Sequence, residues 1–204
     1  MSLIEIKNRV NGEVIFKHDC ENNTVKITVE EAVKLKINLS GSDLSGSNLS
    51  GINLSGINLS VSNLSGSDLS GSNLSWSNLS WSNLSGSNLS WSDLSGSDLS
   101  GSDLSRSDLS RSNLSGSNLS GSDLSRSKIE AGIISTFKFF GNFGSAGRNT
   151  VFLKLEKSIY VHCGCFKGLL EDFAKKVKET HGKNELAREY GLMIAMIKKL
   201  WKIK

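Results

Sequence analysis

Three cysteines and three histidines are the residues of this 204-residue chain that could bind a transition metal. They are Cys20, Cys163, Cys165, His18, His162 and His181. Thiolate and imidazole are ligands that zinc prefers, so His162, Cys163 and Cys165 form a candidate zinc site. On a β-strand, however, Cys163 and Cys165 would share one face with Val161, where cysteines are commonly buried as small apolar residues. We therefore expect core cysteines rather than a metal site, and no disulfide between them.

The glycine-rich residues 141–149 invite comparison with phosphate-binding loops. They contain no G-x-x-x-x-G-K-[ST] motif, and a β-like segment rather than a helix follows them. We interpret them as the loop of a hairpin. The chain also lacks a nucleophile and base at the spacing of a catalytic motif, so we predict that it is not an enzyme and uses no cofactor.

Residues 37–126 are eighteen units of five residues. Asn (eleven units) or Asp (seven) precedes each Leu, Ser follows it, and the last position is Gly in eleven units. The position two before Leu is Ser in fifteen units. The leucines, which we predict to form the core, are Leu39, Leu44, Leu49, Leu54, Leu59, Leu64, Leu69, Leu74, Leu79, Leu84, Leu89, Leu94, Leu99, Leu104, Leu109, Leu114, Leu119 and Leu124.

A period of five fits neither an α-helix nor a flat strand. A helix would rotate successive leucines by about 140°, and a strand would place them on opposite faces. Disorder would give no reason to keep leucine in register. A chain that turns one corner per unit directs every leucine to a common axis, and four sides per turn give 20 residues per coil.

These units resemble the pentapeptide-repeat family, whose units read Ala-(Asp or Asn)-Leu-x-x; here Ser47-Asn48-Leu49-Ser50-Gly51 is an example. The resemblance implies a mainly β fold, a right-handed quadrilateral β-helix, with Leu and the residue two before it facing inward. Ninety residues would make about 4.5 coils. Because a buried hydroxyl without a partner costs about 1–3 kcal/mol, we expect each inward Ser to bond a backbone carbonyl or another Ser, unless the coil is less dry than usual.

Seven units replace the final Gly, one of them with Val61. The other six residues are candidates for surface contact: Trp76, Trp81, Trp91, Arg106, Arg111 and Arg126. The alternative is that they are tolerated corner substitutions that pack over the surface of the rod.

Residues 1–36 predict an N-terminal cap. Apolar runs flank Asn11-Gly12, a strong hairpin signal, and Thr28 followed by Glu31 reads as a capping box that opens a short helix. The β-helix would then span residues 37–131.

Residues 132–204 predict a C-terminal α+β cap of three antiparallel strands and two helices. The first strand would begin at Phe137, the second would be 151–155 and the third 159–165. Gly182 would end the first helix, and Asn184 would cap the second. The segment is similar to the terminal module of phage and bacterial pentapeptide-repeat proteins, in which Cys-Gly-Cys-Phe precedes a helix that ends in Thr-His-Gly.

Charge divides the chain into a neutral segment 1–36, an array at −4 and a C-terminal segment at +8. With no signal peptide or membrane span, we expect a cytoplasmic protein that does not bind membranes. We predict a structural or interaction protein, a short rigid rod that presents repeated surfaces to a protein partner. The alternatives are a DNA mimic that binds topoisomerases, as some acidic family members do, and a filament subunit that self-associates through an end cap. The basic C-terminal module also leaves nucleic-acid binding open.

Overall fold

The computed structural model describes residues 1–114, 116–129, 132–133, 136–143, 148–155, 157–163 and 166–203. An N-terminal hairpin and helix precede the repeat array, and a four-stranded sheet with two helices follows it.

The repeat units return to the same side of the array after every 20 residues. Parallel bridges join Asp43 to Asn63, Asn63 to Asn83, and Asn83 to Asp103, and the same register runs along the other sides. This is the register that a four-sided coil of twenty residues requires. The leucines lie inside it, all buried except Leu114, which is partly buried.

In the middle of the array, every backbone N–H of a repeat unit donates a hydrogen bond, as residues 67–71 show. The Ser67 amide bonds the Leu64 carbonyl within the same coil, and the Asp68 amide bonds the previous coil. The Leu69 and Gly71 amides bond the next coil at 2.8 Å each. The Ser70 amide donates to Oδ1 of Asp68 at 3.0 Å, which accounts for Asn or Asp before every Leu. Because proline has no N–H to donate, the array has no position for it.

The inward serines confirm the expectation that backbone carbonyls satisfy them. Ser67 Oγ donates to the carbonyl of Leu64 at 2.6 Å, three residues earlier, and most other inward serines repeat this bond. Ser62 instead donates to Leu39 in the previous coil at 3.0 Å. Ser72 is an exception, because its buried hydroxyl has no hydrogen-bond partner.

The N-terminal strands continue the hydrogen bonding of the first coil. Strand β1 (Ser2–Asn8) pairs antiparallel with β2 (Val14–Cys20), as the Asn11-Gly12 turn signal predicts. The other edge of β1 pairs with β3 (Ser42–Asp43) inside the array. Helix α1 (Val25–Lys34) buries Val29 and Ala32 against the first leucines of the array.

The predicted start of this helix is wrong. Thr24, not Thr28, is the N-cap, and its Oγ1 accepts a bond from the Ile27 amide at 3.2 Å. The earlier start places Val25 against the core as well. Thr28 is buried inside the helix, where its hydroxyl donates to Asn23 at 3.1 Å.

At the end of the array, β4 (Lys128–Ile129) and β5 (Gly132–Ile133) form a short antiparallel pair. A four-stranded antiparallel sheet follows, with the order β6 (Thr136–Phe143), β7 (Arg148–Lys154), β8 (Ile159–Cys163) and β9 (Phe166–Leu169). Helices α2 (Leu170–His181) and α3 (Glu185–Leu200) complete the chain. Their predicted stop at Gly182 and cap at Asn184 are confirmed.

The strand count and several strand bounds differ from the prediction, which began the first strand at Phe137 and gave the second as 151–155. The sheet has four strands rather than three, because Cys163 pairs with Phe166 and β8 ends two residues earlier than predicted. The loop predicted at 141–149 is shorter, since β6 continues to Phe143, which pairs with Arg148. Residues 144–147 of that loop lie outside the described residues.

The two faces of the sheet bury different partners. Val151, Leu153 and Leu155 pack against the leucines at the end of the array. Phe152 and Val161 point the other way, into a cluster with α2 and α3. Within the described part of the chain, neither these helices nor α1 combines the length and apolarity that a membrane span needs.

Candidate functional site

The last residue of each repeat unit lies at a corner, in the left-handed region of backbone conformation. Glycines there have φ from +63° to +72°, and the seven other residues have φ from +58° to +61°. Glycine adopts this conformation freely, whereas a side chain costs about 1–2 kcal/mol. The preference for glycine at this position follows from that cost. Glycine in eleven of the eighteen units is the sequence signal of this backbone conformation.

The three array tryptophans occupy corners of a single coil. Trp76, Trp81 and Trp91 are 77%, 69% and 62% exposed. The rings of Trp76 and Trp81 lie against Gly96 and Gly101, the corner glycines 20 residues later. The packing over the rod that the sequence analysis kept as an alternative is therefore present, and it leaves most of each indole open to solvent.

The three corner arginines are exposed and lie further along the array. Arg111 stands 20 residues after Trp91, and its guanidinium carbon lies 4.4 Å from the centre of that indole ring, a cation–π contact. Arg106 and Arg126 are themselves 20 residues apart and so share one column of corners.

The array carboxylates are engaged in hydrogen bonds that maintain the coil. Asp93 Oδ1 accepts from the Ser95 amide at 2.9 Å and from the Asn113 side chain at 3.1 Å. Asp108 accepts from the Ser110 amide and forms an ion pair with Lys128 at 3.2 Å. Burial raises the pKa of Asp108, but the hydrogen bonds from Ser110 and the Lys128 ammonium outweigh it, and the net pKa is lowered.

The candidate metal ligands do not converge. Cys163 is buried on the helix side of the sheet, 3.0 Å from the Thr150 hydroxyl. His162, its neighbour on β8, lines a cleft on the opposite, array side. Cys165 lies outside the described residues, among which no three His, Cys, Asp or Glu side chains are grouped as a metal site requires.

That cleft, which we call the junction cleft, separates the end of the array from the sheet. Its volume is about 340 Å³, and it is lined by Trp91, Leu109, Arg111, Ser112, Leu114, Ile129, Leu153, Tyr160, His162 and Lys167. Lys167 donates to the carbonyl of Ser112 at 2.8 Å and so joins β9 to the array. The set of residues that lines the junction cleft could not be predicted from the sequence. Its members lie more than 50 positions apart in the chain, as Ser112 and Lys167 do, and meet only through packing.

The comparison with family models matches the array. The model described as pentapeptide repeats (8 copies) matches residues 37–75, 47–86, 72–111 and 87–126. No curated protein matches the chain significantly.

Solved structures of several repeat proteins are similar to the chain. A pentapeptide repeat protein from Nostoc Pcc 7120 is 32% identical over 50% of this chain and 78% of that one, with a TM-score of 0.34. A pentapeptide repeat protein from the thylakoid lumen of Arabidopsis thaliana is 26% identical over 42% and 63%, with a TM-score of 0.29. QnrB1, a plasmid-mediated fluoroquinolone resistance protein, is 20% identical over 42% and 59%, with a TM-score of 0.28.

The repeat units, the family model and the identity to the Nostoc protein agree. The chain belongs to the pentapeptide repeat family. Its array is accordingly a right-handed quadrilateral β-helix.

Proposed function

We propose that the protein is a non-enzymatic binding rod whose corner tryptophans and arginines contact a protein partner. One observation carries the proposal: six exposed Trp and Arg side chains occupy backbone positions that disfavour any side chain. Strained backbone positions of this kind are concentrated at functional sites.

The residue types fit a protein interface. Tryptophan and arginine are enriched among the residues that dominate binding energy at such interfaces. All six lie between Trp76 and Arg126, whereas the corners before Trp76 carry Gly and one Val. The contact surface therefore covers the second half of the array.

The charge distribution favours an anionic protein surface as the partner. Three arginines stand on the corners, and the C-terminal segment carries +8. The tryptophans point from three different corners, so they do not form the single stacking platform that bound bases would use. A DNA mimic is supported less well, because the array aspartates bond to the coil itself and arginines interrupt them.

The two ends of the rod support a capped monomer rather than a filament subunit. We propose residues 1–36 and 132–204 as caps on an array of residues 37–131 with about 4.5 coils. Helix α1 packs on the first leucines, and the sheet face with Val151, Leu153 and Leu155 packs on the last.

Affinity capture with two matched variants tests the proposal. The wild-type chain, the double variant Trp76→Gly/Trp81→Gly and the variant Val61→Gly would be used as baits in an extract of the source organism. All three substitutions place glycine at a left-handed corner, so they act on the backbone in the same way. A specific partner should be retained by Val61→Gly and reduced at least tenfold by the double variant. Equal capture by all three baits would refute the corner surface.

A further inference from the structure

Helix α3 carries an apolar stripe on a face that its own chain leaves uncovered. The opposite face is buried, with Met193 and Ile197 in the cluster that joins the helix to α2 and the sheet. Leu192, Met196 and Leu200 are instead 68%, 42% and 53% exposed. Because residues four apart are neighbours on a helix surface, these three form one row, which we call the α3 stripe. Such a contiguous apolar patch marks an interaction surface, whereas single exposed leucines are ordinary.

The charges beside the α3 stripe differ between its two ends. Glu185 and Glu189 are exposed on the N-terminal part of α3, and Lys199 is exposed in its last turn. At about 100° per residue, all three lie on the same side of the helix as the stripe. Arg188, which is also exposed, leaves the N-terminal end net negative. Among the described residues, neither Glu189 nor Lys199 forms an ion pair within the chain, so both are available to a partner.

A second copy of α3 that runs antiparallel to the first complements both the stripe and the charges. One register sets Leu192 beside the second copy's Met196. The same register sets Glu189 beside the second copy's Lys199, because both pairs are centred on Ile194. The positive end of each helix macrodipole then lies beside the negative end of the other. A parallel pair would instead set Glu189 beside Glu189 and oppose like charges.

We propose that two copies of the chain form a two-fold dimer in which their α3 stripes pack antiparallel. Each copy uses the same surface patch, so the contact closes at two copies, and the capped rods pair without forming a filament. An anionic membrane surface fits the stripe less well, because Glu185 and Glu189 would face its negative headgroups. The stripe contains no corner residue of the array, so the dimer does not depend on the proposed protein-binding surface.

Sedimentation velocity of the full chain from about 1 µM to about 1 mM tests the dimer. Two helices of 16 residues form a small interface, so we expect the fraction of dimer to rise with concentration across this range. Leu192→Gln, or Met196→Gln as a second variant, should raise the dissociation constant about tenfold or more. Leu3→Gln is the matched control, because Leu3 is 56% exposed on β1 and should leave the dimer unchanged.

Three results would overturn the dimer. The first is a monomer at every concentration, and flotation of that monomer with phosphatidylserine vesicles would assign the α3 stripe to a membrane surface instead. The second is a dimer that both stripe variants leave intact. The third is a dimer that Leu3→Gln weakens as much as Leu192→Gln does. Far-UV circular dichroism of each variant shows that the helices are retained.

Charge reversal tests the antiparallel register. Glu189→Lys and Lys199→Glu should each weaken the dimer several-fold, because each sets like charges opposite one another across the two-fold axis. The double variant Glu189→Lys/Lys199→Glu should restore the wild-type dissociation constant, since it exchanges the members of both ion pairs. A double variant as weak as either single variant would overturn the register. The Trp76→Gly/Trp81→Gly variant should dimerise as the wild type does, so failure of the corner surface and failure of the dimer are separate results.

Discussion

The indole ring of Trp81 lies directly against the backbone of Gly101, 20 residues later in the chain. A Cβ atom at Gly101 would stand 2.7 Å from the ring. The tryptophan and the glycine one coil above it therefore form a pair, and Trp76 and Gly96 form a second pair with the same geometry.

Gly101→Ala should displace the Trp81 ring. Gly86→Ala is the control, because Gly86 has the same left-handed backbone and nothing within 4 Å of an added Cβ. Both variants place a side chain at a left-handed corner and so carry the same backbone cost. The difference between their free energies of unfolding therefore measures the cost of the contact with the Trp81 ring. We expect Gly101→Ala to lower the free energy of unfolding by about 1 kcal/mol more and to change tryptophan fluorescence. Identical fluorescence in the two variants would contradict the pairing.

Val61→Gly should stabilise the protein. Val61 is a β-branched residue at φ +60°, a conformation that such residues rarely adopt. The free energy recovered by removing this strain exceeds the stability lost to the entropy that glycine adds to the unfolded chain. The free energy of unfolding should therefore rise by about 0.5–1 kcal/mol. The reverse change, Gly66→Val at φ +64°, should lower the unfolding free energy by a similar amount. Denaturant titration measures both, and a loss of stability in Val61→Gly would show that the corner is not strained.

Ser72→Ala and Ser77→Ala should have opposite effects. The buried Ser72 hydroxyl has no partner, so its removal should raise the free energy of unfolding by about 1 kcal/mol. Ser77 Oγ donates to the Leu74 carbonyl at 2.6 Å, so its loss should cost about 1 kcal/mol. The two positions have the same repeat environment, and thermal or denaturant unfolding compares them. If both changes destabilise equally, the Ser72 hydroxyl has a partner in solution.

Asp108 should add stability that disappears in acid. Its pKa is lowered in the folded chain, so the folded state favours the carboxylate more than the unfolded state does. The stabilisation is present above the unfolded pKa of about 3.9 and is lost as the pH falls through the lower folded value. Unfolding curves at pH 7 and at successively lower pH should show that the free energy of unfolding falls less for Asp108→Asn than for the wild type. Lys128→Met should reduce this fall in part, because Lys128 is one of the causes of the shift.

The repeat determined the architecture before any coordinate was known. A leucine in every fifth position favours a coil with a corner in each unit. The resemblance to pentapeptide repeats implied the four sides, and the parallel bridges confirm the twenty-residue register. The need of the inward serines for carbonyl partners followed from the cost of burying a hydroxyl. Local signals of this kind, Asn11-Gly12, Asn184 and Gly182 among them, depend on neighbours within a few residues, which the sequence contains.

Only the tertiary structure decided the remaining features. The start of α1 at Thr24 depends on packing against the first coil, and the fourth strand depends on the pairing of Cys163 with Phe166. His162 and Cys163 are adjacent in sequence but lie on opposite faces of a sheet, so their apparent zinc motif does not converge. The junction cleft joins Trp91 and Arg111 to Lys167 across the boundary between array and sheet. Contacts of that kind depend on how two separately specified elements dock, and no local pattern records it.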